Sequence, residues 1–127
     1  MSNFYQDVKT FQTAVGQHIG QAPAFPGKAE RTLRMDLLME EVKEYLEGEE
    51  KQDIENVAKE LADIIYIVCG TAASYGIPLD TVFEAVHKSN MAKLGPDGVP
   101  KRREDGKILK PEGWVAPDIK SILFGVK

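Results

Sequence analysis

The sequence predicts an all-α protein, and three observations carry the prediction. Apolar residues recur every three or four positions through most of the first ninety residues. One stretch of about twenty residues is apolar nearly all round, as a buried helix is. The breaks after the second segment are only a few residues long, which favours antiparallel neighbours. At 127 residues the chain suits one domain. We expect a four-helix bundle-like body over residues 3–93 and an irregular, basic C-terminal tail over 94–127.

Each element has its own signal. Phe4, Val8, Phe11, Val15 and Ile19 recur at helical spacing, and Ser2 or Asn3 is available as N-cap, so residues 3–21 read as the first helix. Two prolines and a glycine make 22–30 a loop. Met35, Leu38, Met39, Val42, Tyr45 and Leu46 form the stripe of a second helix over 32–47, with Gly48 as its stop. Asp53 is placed to cap a third helix over 54–75, which Gly76 closes. Pro78 opens a fourth, carrying Leu79, Val82, Phe83 and Val86 to about Ala92. From Gly95 to Ile119 four glycines and four prolines erase any helical period. A short hairpin around residues 104–107 is expected there, with Trp114 and Ile119 pinning the tail back.

Composition narrows the function classes. The net charge of −4 argues against a nucleic-acid partner. The longest apolar run is interrupted by Asp63 and is too short to span a bilayer, so no membrane partner is expected. The start MSNFYQDVKTF has neither the basic nor the apolar region of a signal peptide, and a cytoplasmic location is expected. The single cysteine, Cys69, lies in an apolar stretch and reads as a small core residue. Charge is unevenly spread. Residues 30–63 hold twelve acidic and five basic side chains, whereas 88–110 hold seven basic and three acidic. Such a split fits a self-complementary surface, and it also fits a cation site followed by phosphate-binding groups.

The acidic half contains the informative spacing. Glu41 and Glu44 are three residues apart, as are Glu60 and Asp63, which puts each pair on one helix face. Across an antiparallel turn near residue 50, Glu41 and Glu60 fall level with one another. Four carboxylates facing each other repel, and a hard divalent cation relieves that repulsion. Asp63 is the only charged residue from Leu61 to Ala73, so it is expected to be buried and to need a cation or another partner. His18 and His87 with one cysteine do not make a zinc set, and no phosphate-binding P-loop occurs.

EEVKE at 40–44, fifteen residues, then ELAD at 60–63 resembles the E-x-x-E … E-x-x-D signature of the all-α nucleoside triphosphate pyrophosphohydrolases. That superfamily includes MazG-like proteins, phosphoribosyl-ATP pyrophosphohydrolases and dimeric dUTPases. The likeness covers roughly residues 30–95, and the KSNMAKLG and DGKILKPEGW segments are similar to single-domain MazG-like tails. The resemblance implies Mg²⁺, with Mn²⁺ as a substitute, held by Glu41, Glu44, Glu60 and Asp63. Glu40 or Glu44 would act as general base, and Asn90 and Lys93 would contact phosphate. Lys101, Arg102, Lys107 and Lys110 are further candidates for the phosphates. The implied reaction is hydrolysis of a (d)NTP at the α-phosphorus, giving monophosphate and pyrophosphate in nucleotide-pool house-cleaning. Phosphoribosyl-ATP is the alternative substrate, and a non-catalytic helical dimerisation or regulatory module is the alternative of another class. Phe25, Tyr75 and Trp114 are each candidates for stacking on a base. So apolar a third helix also predicts a homodimer or homotetramer.

Overall fold

A computed structural model describes residues 3–125. It contains five helices: α1 (Phe4–Ala14), α2 (Lys28–Lys51), α3 (Ile54–Ser74), α4 (Leu79–Met91) and α5 (Ile119–Phe124). The all-α expectation is met. The chain divides into two compact units, Met1–Leu79 and Asp80–Lys127.

In the first unit α3 is the central element, with both α1 and α2 laid against it. Asn3 caps α1 by accepting a hydrogen bond from the Gln6 amide, while Ser2 lies outside the described residues. The helix stops at Ala14, well short of residue 21. Gly16 takes φ +76°, and the Gln17 amide turns back to the Gln12 carbonyl at 2.9 Å. The apolar spacing of Val15 and Ile19 therefore runs past the helix end. The segment after it is instead held to the end of α3 by Gly20 N–H to the Ala73 carbonyl (2.9 Å) and Ala24 N–H to the Tyr75 carbonyl (3.0 Å).

Gly48 corrects a second expectation, because α2 runs through it to Lys51. The stop is Gln52, in the left-handed region at φ 53°. Gly48 is buried where α2 meets α3: a Cβ there would stand 2.8 Å from Asn56 Nδ2 and 3.2 Å from Val57 Cγ2. Close approach of two helices, rather than chain termination, needs the missing side chain. Asp53 caps α3 as expected, accepting from the Asn56 amide at 3.2 Å.

The second unit holds α4, the tail and α5. Leu109 N–H donates to the Lys101 carbonyl (2.8 Å) and Arg103 N–H to the Lys107 carbonyl (2.7 Å), closing the expected hairpin over Gly106 at φ +90°. Trp114 Nε1 donates to the Ser89 carbonyl at 2.7 Å, which ties the tail to α4. Helix α5 was not anticipated. Asp118 caps it through Ser121, and Gly125 ends it at φ +63°. Both signals were in the sequence, but six residues show too little periodicity to stand out.

Candidate metal centre

The α2–α3 turn brings the two acidic pairs together. Glu41, Glu60 and Asp63 offer carboxylate oxygens that all lie within 4.8 Å of one another, and Glu40, Glu41 and Glu44 form a second such group. Glu41 and Glu44 are half-buried, Glu40 is exposed, and Glu60 is 2% exposed. Among the described residues, Glu41 Oε2 and Glu60 Oε2 are buried with no hydrogen-bond donor while both carboxyls are ionised. Buried acceptors are nearly always satisfied in folded proteins, so two orphaned carboxylate oxygens on residues of one acidic cluster are suited to a cation. The donor set is oxygen only, which fits Mg²⁺ or Mn²⁺ and does not suit zinc.

Electrostatics shows the same crowding. Burial, a hydrogen bond shared with Glu60, and repulsion from Asp63, Glu60 and Glu44 raise the Glu41 carboxyl to about 7. Glu44 is also raised, first by its contact with Glu60 and then by the charge of Glu60, burial and Glu40. Burial pushes Glu60 upward, but hydrogen bonds from Glu41, Lys59 and Glu44 outweigh it and hold Glu60 below the usual carboxylate value. The cluster thus keeps its deepest member ionised and shares protons among the outer ones.

Asp63 is not where the sequence placed it. Its side chain is 37% exposed, and its Oδ2 lies 2.7 Å from the ammonium of Lys59. Three residues advance a helix by about 300°, so Glu60 points into the α2–α3 groove while Asp63 sits at its edge. The buried carboxylate is Glu60. The apolar face of α3 is correspondingly less covered than expected: Leu61, Ile65, Tyr66 and Val68 are all exposed in this chain.

Sequence reasoning missed two cations. Lys59 reaches both Asp63 and, at 3.1 Å, Glu60 Oε1; its i,i+4 spacing to Asp63 was the available signal. Arg34 is buried, with Nε on Thr71 Oγ1 (3.1 Å) and Nη2 on the Ile67 carbonyl (2.9 Å). Burial lowers its pKa, opposed by Glu30 and Tyr75. Gly70 makes the space: a Cβ there would collide with Gln12 Oε1 and Arg34 Nη2. Nothing in a local pattern marks such a pairing of a glycine with an arginine thirty-six residues away. Cys69 is buried, and burial raises its thiol, so it is a packing residue.

In the second unit, Lys93, Lys101 and Lys110 border one cavity of about 550 Å³ walled by prolines, Val99 and Leu109. The Lys93 and Lys110 ammoniums stand 5.4 and 5.0 Å from the Trp114 ring centre. Asn90 is exposed near the end of α4. Arg102 does not border that cavity; its Nη1 donates to the Gly106 carbonyl at 3.0 Å. Lys107 lies outside it too, exposed in the hairpin. In the first unit Phe25 meets Tyr75 edge-on, with Arg31 over its ring at 4.6 Å.

The phosphoribosyl-ATP pyrophosphohydrolase family matches the chain over residues 8–90, which covers more than half of it and both acidic pairs. This protein belongs to that family. As a phosphoribosyl-ATP pyrophosphohydrolase relative it is a hydrolase of the MazG-like NTP pyrophosphohydrolase superfamily, and its substrate is a nucleotide. The family is one of metal-dependent hydrolases, and the acidic cluster is suited to the metal. A solved structure of a proposed NTP pyrophosphohydrolase from Exiguobacterium sp. 255-15 is 28% identical, covering 94% of this chain and 91% of that one at a TM-score of 0.47. A TM-score of that size adds nothing to the family assignment. No curated protein matches.

Proposed function

We propose that this pyrophosphohydrolase is Mg²⁺-dependent and hydrolyses (d)NTPs to monophosphate and pyrophosphate, as a nucleotide-pool house-cleaning enzyme. The observation that carries the metal reading is the buried, donor-less Glu60 Oε2 beside the equally donor-less Glu41 Oε2. Glu41, Glu44, Glu60 and Asp63 would hold the ion. A bound Mg²⁺ would supply charge neutralisation for the triphosphate and a water of lowered pKa.

The chain's own residues do the rest. Glu40, exposed beside Glu41 and Glu44, or Glu44 itself takes the proton from the attacking water. The water oxygen bonds to the α-phosphorus, the bond from that phosphorus to the α,β-bridging oxygen breaks, and pyrophosphate leaves with the electron pair. Asn90, Lys93, Lys101, Arg102, Lys107 and Lys110 are proposed to contact phosphate on the strength of the tail resemblance and, for the cations, their charge. Phosphoribosyl-ATP is the second reading, favoured by the description of the matching family.

Pyrophosphate release from a panel of (d)NTPs and phosphoribosyl-ATP, with and without Mg²⁺, tests both. Turnover of at least one (d)NTP is expected, and Glu41→Gln or Asp63→Asn should abolish it without loss of helicity. Full turnover in both variants would remove the site assignment. Hydrolysis of phosphoribosyl-ATP alone would select the second reading, and Mg²⁺ binding without any turnover would indicate a regulatory module.

A further inference from the structure

We propose that Lys59 is a positioning residue of the carboxylate centre: it holds Glu60 Oε1 and Asp63 Oδ2 and so fixes the direction of their other oxygens. The proposal rests on the metal reading above and deepens it. Lys59 lies one residue before Glu60 and four before Asp63 on α3, so one flexible side chain spans both. Its ammonium is 3.1 Å from Glu60 Oε1 and 2.7 Å from Asp63 Oδ2.

The oxygens it leaves are the informative ones. Glu60 Oε1 is held by Lys59, and Glu60 Oε2 is buried with no donor. A carboxylate with one oxygen fixed in this way has the direction of its second oxygen fixed as well. Among the described residues no other cation lies within ion-pair distance of Glu60 or Asp63. Without Lys59, a nearly fully buried Glu60 would face Glu41 and Glu44 with no cation paired to it. Its three side-chain torsions would then relax away from Glu41.

A positive charge beside a cation site also repels the cation, and the two effects have opposite signs. Lys59 is 68% exposed, so its repulsion is screened by water and salt. Its hydrogen bonds to Glu60 Oε1 and Asp63 Oδ2 fix the geometry of the ligands, which a screened repulsion does not undo. Orientation therefore outweighs repulsion, as for other groups that hydrogen-bond metal ligands, whose loss lowers affinity roughly 10- to 100-fold.

The test is Mg²⁺ titration by calorimetry and Mn²⁺ binding by electron paramagnetic resonance, with the full chain and no nucleotide. Lys59→Met and Lys59→Gln should each weaken binding by about tenfold, whereas Lys59→Arg should restore it to within about threefold of wild type. Helicity of the metal-free protein should be retained in all three, because so exposed a side chain contributes little to packing; affinity lost only in step with helicity would overturn the proposal. Wild-type binding with equal or tighter binding in Lys59→Met would overturn the positioning role and leave the centre intact. No divalent binding by wild type would overturn the centre and the proposal together.

Discussion

Glu41 shows how the site is set at the scale of single residues. Its carboxyl is raised to about 7, so near neutrality it is only partly ionised. A metal ion binds the ionised form, so binding must expel that proton. Calorimetry of Mg²⁺ binding in two buffers of different ionisation enthalpy should show proton release at pH 6.5 that fades by pH 8.5. The sign for stability follows from the same shift. An acid held above its ordinary value in the folded state costs nothing below that value and destabilises progressively as pH rises through about 7. Glu41→Gln removes that cost, so without divalent ions the variant should melt higher than wild type at pH 8, and the difference should vanish by pH 5. Equal melting at pH 8 would show that Glu41 is not under the strain assigned to it. Glu60, held low, contributes in the opposite sense. None of this could be read from the sequence, because an EExxE run looks the same whether it faces water or another helix.

At the scale of elements, the helices were legible and their contacts were not. The existence of α2, the Asp53 cap of α3 and the turn between them followed from local pattern, because capping and periodicity depend on neighbours in sequence, but Met35, Met39 and Leu46 of the expected α2 stripe are exposed. Gly48 and Gly70 carry information of another kind. Each lies inside a helix, where glycine costs about 1 kcal/mol against alanine, and each marks a place where another helix comes too close for a Cβ. Gly70→Ala would gain that propensity but drive Gln12 and Arg34 off α3. Overpacking at so tight a site costs about 1–3 kcal/mol, so urea denaturation should show net destabilisation rather than the usual gain. An increase in stability would mean that Arg34 is not held against α3 as described.

At the scale of the whole molecule, α1 and α3 present apolar side chains to solvent. Phe4, Phe11, Leu61, Ile65 and Tyr66 are exposed, and Phe4, Val8, Ala62, Ile65 and Tyr66 line one shallow apolar depression of about 300 Å³. Apolar patches of this kind mark association surfaces. No single helix among the described residues is long and apolar enough to cross a membrane. We propose self-association as the cover, on the strength of the exposed apolar patch. Sedimentation should give a dimer or tetramer, and Ile65→Lys should shift it toward the monomer with helicity retained. A wild-type monomer at micromolar concentration would refute this.

The fold class, four of the five helices and the residues of the acidic centre could be argued from the chain alone. Helix periodicity, end caps and i,i+3 spacing are local and survive in one dimension. Which carboxylate is buried could not be. An apolar run places Asp63 among greasy neighbours, but only the docking of α2 decides that Glu60 faces the groove and Asp63 meets water and Lys59. The ends of α1 and α2 are set by left-handed residues, Gly16 and Gln52, whereas Gly48 does not stop a helix because it is kept small for the approach of α3. Burial and close approach are properties of pairs of elements, and a single helix's sequence constrains them only weakly.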